Sequence, residues 1–338
     1  MWPTSPLSSA GWQASKSTKQ GVGNDYMKNM ITIKRIEIKG FFGKGNFEWE
    51  LNPVVNILGG KNGSGKSTIF KICYAMLNNK HVPASIGNEA NNIFREVNMT
   101  LSNDWTLSWP YNSETLHLDF DGSKPMAYVE PIAIKDEKGE IRDHSELQEL
   151  VKSELINSFE QHLEKAIQYW QQPKSFVLNN PTFLDLMIKD QIDKRNMDFA
   201  GTMEEFIDSS DGNVQNEYTR NYKMVYSVLN HFFDGYDKKI GSSFVFTKNG
   251  ARISYEHLSM GEKQLLLLIL MVGNTKQQPC VFFMDEPDLS MHIDWKEELV
   301  TQLHEMNPNM QIILSTHAPS VITGWMDCVK EVSQLIKE

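Results

Sequence analysis

The chain of 338 residues predicts an α/β fold: a mixed central sheet with a glycine-rich phosphate loop, an antiparallel β subdomain and a helical insertion. Three observations lead there. A short apolar run, Val54-Val55-Asn56-Ile57-Leu58, enters a glycine loop and leaves it as a helical pattern. Two later apolar runs, Val281-Phe282-Phe283-Met284 and Ile312-Ile313-Leu314-Ser315, end in polar residues and carry no internal charge, as buried parallel strands do. Between these ends the period changes from two to that of a helix.

The first elements alternate. Ile31 to Ile38 and Phe47 to Leu51 read as half-exposed antiparallel strands. The apolar run 54–58 is a buried strand, and Thr68 to Leu77 reads as a helix. The loop between them is Gly60-Lys61-Asn62-Gly63-Ser64-Gly65-Lys66-Ser67-Thr68. Gly60, Gly63 and Gly65 let the backbone take positive φ and approach a phosphate closely. The loop amides and the start of the helix then face the anion. Lys66 is placed to reach the β- and γ-phosphates, and the Ser67 hydroxyl to ligate Mg²⁺.

Alternation continues through 92–120, with Trp105 to Trp109 and Thr115 to Phe120 as strands. From Ser145 the period turns helical: Leu147, Leu150, Val151, Leu155, Phe159, Leu163 and Ile167 recur at steps of three and four. Two or three shorter helices are expected between Phe183 and Phe233, broken at Ser209 to Asn213. This helical insertion, 143–235, reads either as core packing or as a lid with a partner-binding face. Phe244 to Phe246 and Ile253 to Tyr255 flank a turn at Lys248 to Ala251 and return the chain to sheet.

Leu258-Ser259-Met260-Gly261-Glu262-Lys263-Gln264 then opens an apolar helix running to Val272. Ser259 is a capping residue and Gly261 lies in the first turn, so this helix start is a second anion site by the same dipole argument. The strand 281–284 ends in Asp285-Glu286-Pro287. Ligands of open α/β sheets bind at the carboxyl ends of strands, so Asp285 is placed to hold Mg²⁺ and Glu286 to orient or deprotonate water. Trp295 to Met306 reads as a crossover helix. The next strand ends in Thr316-His317, which the right-handed crossover brings to the same edge of the sheet. His317 is then positioned for a γ-phosphate or the attacking water.

These motifs, in this order, resemble an ABC-class ATPase of the soluble branch holding RecF-like, SMC-like and OLD-like proteins. The resemblance covers Met30 to Leu77 and Ser243 to Glu338, with a Walker A loop, an LSxGE signature, a Walker B strand with its catalytic Glu, and a switch His. It implies an ABC-type head that binds ATP with Mg²⁺ and hydrolyses it. It also implies that Ser259 and Gly261 contact the γ-phosphate of ATP held by a second subunit, in a homodimer with two sandwiched nucleotides. The segment Asp288 to Trp295, with His292, resembles the OLD-like and defence branch rather than transporters. No Q-loop glutamine is placed; the segment Ala127 to Ile132 offers Glu130. Phe41 and Phe42 are candidates for stacking on adenine or for the core.

Layout and composition bound the rest. Residues 1–29, with little to bury, read as a disordered extension or as upstream sequence with the natural start at Met27 or Met30. The folded parts are an N-terminal lobe over 30–142, the insertion, and a C-terminal lobe over 236–338. The net charge of −10 argues against a wholly nucleic-acid-binding surface, although Lys28, Lys34, Arg35, Lys39 and Lys44 form either a local basic patch or a solvated face. The cysteines Cys73, Cys280 and Cys328 lack metal-ligand spacing and fit a reducing, cytoplasmic setting. The longest apolar run, 265–272, is far short of the roughly 20 residues of a membrane span. Little sequence follows His317, and no fused nuclease is expected there. The leading expectation is an ATPase controlling a separately encoded effector, a nuclease, in anti-phage defence of the retron, Septu or PARIS kind. The alternatives are a RecF-like ATPase acting directly on DNA and the ATPase subunit of a transporter.

Overall fold

The computed structural model describes residues 30–78, 94–110, 132–157, 182–208, 212–234, 236, 238–241 and 244–337. In chain order the elements begin with β1 (Ile33–Lys39), β2 (Asn46–Glu50), β3 (Val55–Gly59), α1 (Lys66–Asn78), β4 (Glu96–Leu101), β5 (Thr106–Pro110) and β6 (Ala133–Lys135). Next come α2 (His144–Leu150), β7 (Lys152–Asn157), α3 (Phe183–Asp208), α4 (Gly212–Phe233), β8 (Lys238–Ile240), β9 (Phe246–Lys248) and β10 (Ala251–Ile253). The chain continues with α5 (Met260–Asn274), β11 (Cys280–Asp285), α6 (Ile293–Met306), β12 (Met310–Ser315), β13 (Val329–Glu331), α7 (Val332–Leu335) and β14 (Ile336–Lys337).

The strands sort by direction into separate sheets. Five are parallel, in the order β13-β3-β12-β11-β7; six are antiparallel, in the order β14-β2-β1-β4-β5-β6; a small third sheet runs β10-β9-β8. The parallel sheet is covered on both faces, which explains its uninterrupted apolar strands. Successive side chains point to opposite faces. Phe282, Met284, Ile312 and Leu314 join one core with α5 and α6, while Val281, Phe283 and Ile313 join a second with α1 and the antiparallel sheet. Phe70 of α1 lies on Phe283, with ring centroids 5.9 Å apart. A buried Gln311 joins the two large sheets: its Oε1 accepts from Ile33 N–H at 2.8 Å, and its Nε2 donates to the carbonyls of Ile33 and Asn52, both at 2.9 Å.

The helical period expected from Ser145 onward holds only for α2. Val151 turns extended, and Lys152–Asn157 is a strand, β7, paired in parallel with β11 from Cys280↔Lys152 to Asp285↔Asn157. Leu147, Leu150, Val151 and Leu155 fall at helical steps, but the unpaired edge of β11 offers this segment a full ladder of hydrogen bonds. Tertiary pairing overrides the local pattern. Phe159, Leu163 and Ile167 lie outside the described residues, as do the expected strand Thr115 to Phe120 and Glu130. Two helices, α3 and α4, occupy 183–233.

Register sets the edge that matters. Leu58 pairs with Ser315, Ser315 with Asp285, and Asp285 with Asn157. The glycine loop, the acidic pair and the segment of His317 therefore leave the sheet side by side.

Candidate nucleotide-binding site

The glycine loop takes the shape its sequence predicts. Gly60, Gly63 and Gly65 all have positive φ, and the Ser64 amide closes a turn on the Lys61 carbonyl at 3.1 Å. Gly65 is obligatory twice over. Its φ is 100°, and a Cβ there would lie 2.5 Å from Phe41 Cζ and 2.7 Å from Phe42 Cε2. Phe41 is fully buried and belongs to the core; Phe42 is half-buried beside the loop with a φ of 47°. Asn62 and Gly63 are exposed at the loop tip, and Ser67 is exposed at the start of α1, with Thr68 half-buried behind it.

Lys66 is buried, and its ammonium donates to the Gly60 carbonyl at 2.9 Å. It also lies 3.0 Å from Nε2 of His317, which in turn is 3.2 Å from Oε1 of Glu286. Three side chains from three distant segments thus meet at one imidazole nitrogen.

Glu286 has a φ of 48°, a conformation that a residue with a Cβ rarely takes, and its amide is tied to the Ser315 carbonyl at 3.0 Å. Such strain persists only where the surroundings over-determine it. Asp285 is buried beside it and accepts from Ser315 Oγ at 2.5 Å. A second latch holds the neighbouring turn: Thr316 Oγ1 donates to Asp288 Oδ1 at 2.9 Å, and Asp288 pairs with Lys296 at 3.0 Å. The roles of Ser315, Thr316, Asp288 and Lys296 escape sequence reasoning, because short polar residues after a strand are the ordinary material of turns.

The donor set suits Mg²⁺. A buried carboxylate, Asp285, and an exposed hydroxyl, Ser67, would supply two oxygen ligands, leaving substrate phosphates and water to complete the shell of this ion. Among the described residues no group of three or more His, Cys, Asp or Glu forms an independent metal site.

At the signature, Ser259 caps α5 through a reciprocal box. Ser259 Oγ accepts from Glu262 N–H at 3.4 Å, while Glu262 Oε2 accepts from Ser259 N–H at 2.7 Å. Burial pushes the Glu262 carboxyl up, but the hydrogen bond from Lys238 and those at Ser259 outweigh it and hold this acid below its usual range. The structure supplies a packing reason for Gly261. A Cβ there would lie 2.1 Å from the Ser290 carbonyl oxygen and 3.3 Å from Met291 Cα. The signature is thereby seated on the segment that follows the acidic pair. The contacts of Ser259 and Gly261 are with Glu262, Ser290 and Met291, whereas those of Lys66 are with the loop and His317.

Elsewhere the structure sorts what the sequence left open. Lys34 pairs with Asp104, Arg35 with Glu37 and Glu48, and Lys39 with Glu96, so much of the N-terminal basic cluster is neutralised on its own sheet. Lys28 lies outside the described residues. Cys73 and Cys280 are buried and Cys328 half-buried. Burial pushes the Cys280 thiol up to about 12 and that of Cys73 higher still. Among the described residues no helix is long and apolar enough to cross a membrane.

The retron Vc95 probable ATPase of Vibrio cholerae serotype O1 biovar El Tor is 37% identical over 87 residues, which is 22% of this chain and 17% of that protein. The retron Ec83 probable ATPase of Escherichia coli is 28% identical over 108 residues, 29% of this chain and 20% of that protein. The match therefore spans only a small part of each retron protein. The Septu protein PtuA of Bacillus thuringiensis is 24% identical over 327 residues, covering 87% of this chain and 73% of PtuA. Among solved structures, the SMC head domain from Thermotoga maritima aligns with a TM-score of 0.48 at 15% identity, over 88% of this chain and 94% of that one. The profile of the family described as "AAA domain, putative AbiEii toxin, Type IV TA system" matches residues 55–323. That span holds the glycine loop, the signature, Asp285, Glu286 and His317, and the chain belongs to this AAA-domain family.

Proposed function

We propose that this protein is an ABC-type ATPase that closes as a homodimer around ATP and uses its nucleotide state to control a separately encoded effector, a nuclease, in anti-phage defence. The observation that carries the ATPase reading is the convergence of Lys66, His317 and Glu286 at the mouth of the glycine loop. In the cycle, Lys66 leaves the Gly60 carbonyl for the β- and γ-phosphates. Glu286 orients the attacking water and accepts its proton. His317 then holds the γ-phosphate or that water. Ser67 and Asp285 would hold Mg²⁺, which would offset the charge of the phosphates.

The dimer reading draws support from the signature face. Met260, Leu289 and Ile293 are exposed apolar side chains flanking the point where Gly261 meets Ser290. A solvent-facing cluster of this kind suits a contact surface. The effector reading draws support from the relatives' names, retron ATPases and Septu PtuA. It also draws on the attachment of α3 and α4 to the signature helix. Lys263 of α5 pairs with Asp185 of α3 at 2.6 Å, both buried, and Asn221 Nδ2 of α4 donates to the Gly273 carbonyl at 3.1 Å. A partner bound to α3 or α4 would thus be felt at Ser259.

Subunit mixing tests the trans-acting sites. Lys66→Ala and Ser259→Arg chains are each expected to be inactive, and their mixed dimer holds one composite site free of both defects. Recovered ATPase activity supports the reading. Mixed dimers that form, bind ATP and never turn over would sink the independent trans sites. Co-purification of the chain with its natural neighbours tests the effector.

A further inference from the structure

Outside the nucleotide site, the described residues enclose a cleft of about 710 Å³ between the C-terminal end of α4 and the small β8–β10 sheet. Asn230, His231 and Asp234 line it from α4; Lys238, Lys239 and Thr247 line it from the sheet. Its volume lies in the range of small-molecule sites. The charges around it are distinctive. Lys239 and Arg252 both stand in register with Thr247, on either side, which puts these three residues on one face of the sheet. Lys239, the exposed cation of the lining, has no carboxylate partner among the described residues, unlike Lys34, Arg35 and Lys39; Lys248 and Arg252 are exposed on the same sheet outside the lining. His231 is held by Glu298 at 2.5 Å, which leaves Asp234 as the acid lining the cleft.

Lys238 is the residue that makes this cleft matter. It lines the cavity, and its ammonium bonds Oε1 of Glu262, the acid whose other oxygen takes the Ser259 amide in the signature cap. The path from cleft to signature is one ion pair and one hydrogen bond long.

We propose that this cleft is a second ligand site, for a mononucleotide-sized phosphate ester, and that its occupancy is read by the signature through Lys238 and Glu262. The cations of the sheet suit the phosphate. Asp234 suits the hydroxyl or amino donors of a nucleoside, which inorganic phosphate lacks. A phosphate in the cleft competes with Glu262 for Lys238, leaves a nearly buried carboxylate with less compensation, and so loosens the cap of α5. Occupancy therefore slows hydrolysis. The binding half stands on the cleft alone; the coupling half rests on the proposed role of the signature.

The test uses AMP as probe and the full chain. Calorimetric titration into the Lys66→Ala variant, whose glycine loop holds ATP more weakly, is expected to show saturable AMP binding. Adding Lys239→Glu, a change at an exposed side chain, should weaken it by about tenfold or more, the scale of a lost charge-assisted contact. With Lys66 intact and ATP saturating, AMP should lower ATPase activity by at least about fivefold, and Lys239→Glu should remove that inhibition. Absence of saturable binding at millimolar AMP, binding indifferent to Lys239→Glu, or binding of a single-stranded oligonucleotide but not AMP would each overturn the proposal. If the unmutated chain hydrolyses no ATP, the ATPase reading fails, while the two titrations still decide the cleft.

Discussion

The glycine loop and the signature segment are both glycine-containing helix starts, yet the fold treats them differently. Around the loop, the cation, the imidazole and the carboxylate already touch one another within one chain: Lys66 to His317 at 3.0 Å and His317 to Glu286 at 3.2 Å. At the signature the polar groups are spent on the helix itself, with Ser259 and Glu262 satisfying each other and Gly261 pressed against Ser290. The first site is a set of chemical groups waiting on a ligand. The second is a rigid surface whose exposed Met260 faces outward. The difference teaches that a shared backbone device carries no shared task. Neighbouring side chains decide whether it performs chemistry or presents a shape.

The sharpest way to break this contrast is at Glu286. Replacing it with Gln keeps its size and removes the base, so ATP hydrolysis should fall by about 10² to 10⁴, with ATP binding retained in an equilibrium assay. A variant that hydrolyses normally would strip the first site of its chemistry. Next in size is Lys66→Ala. It removes the mobile cation and should weaken ATP binding by roughly 10- to 100-fold, the range of hydrogen bonds to charged groups, measured by titration with Mg-ATP. Gly261→Ala probes the other side of the comparison. The added methyl meets the Ser290 carbonyl and should cost about 1–3 kcal/mol of stability, read as a lower midpoint in denaturant, with ATP still bound. Unchanged stability would mean that the signature is not seated on that segment.

Acid should separate the two ends more gently. Glu262 is held below its usual range in the folded chain, so its contribution is complete above the unfolded value and lost as pH falls through the folded one. Glu262→Gln is expected to flatten the acid limb of a stability-versus-pH curve, and an unaltered limb would count against the cap. The smallest expected effect is at the thiols. A maleimide reagent on the native chain should modify Cys328 first, because burial protects Cys73 and Cys280.

Much of this was legible in the one-dimensional pattern. The glycine loop, the signature segment, the acidic pair and His317 can each be read from residues a few positions apart, and the strand–loop–helix at 55–78 and the strands β11 and β12 fall where their apolar runs predict. Three further things were decided only by tertiary structure. Lys152–Asn157 became a strand because the edge of β11 was available, against a helical spacing of its own leucines. The N-terminal cations were neutralised by acids on neighbouring strands, pairings set by register and not by order in the chain. Gly261 owes its identity to a backbone carbonyl that lies 29 residues further along the chain, at Ser290. Sequence by itself determines periodicity, turn chemistry and which groups are chemically competent, because these act over a few bonds. Pairing, charge compensation and close approach join residues distant in the chain, and only the closed fold brings those surfaces together.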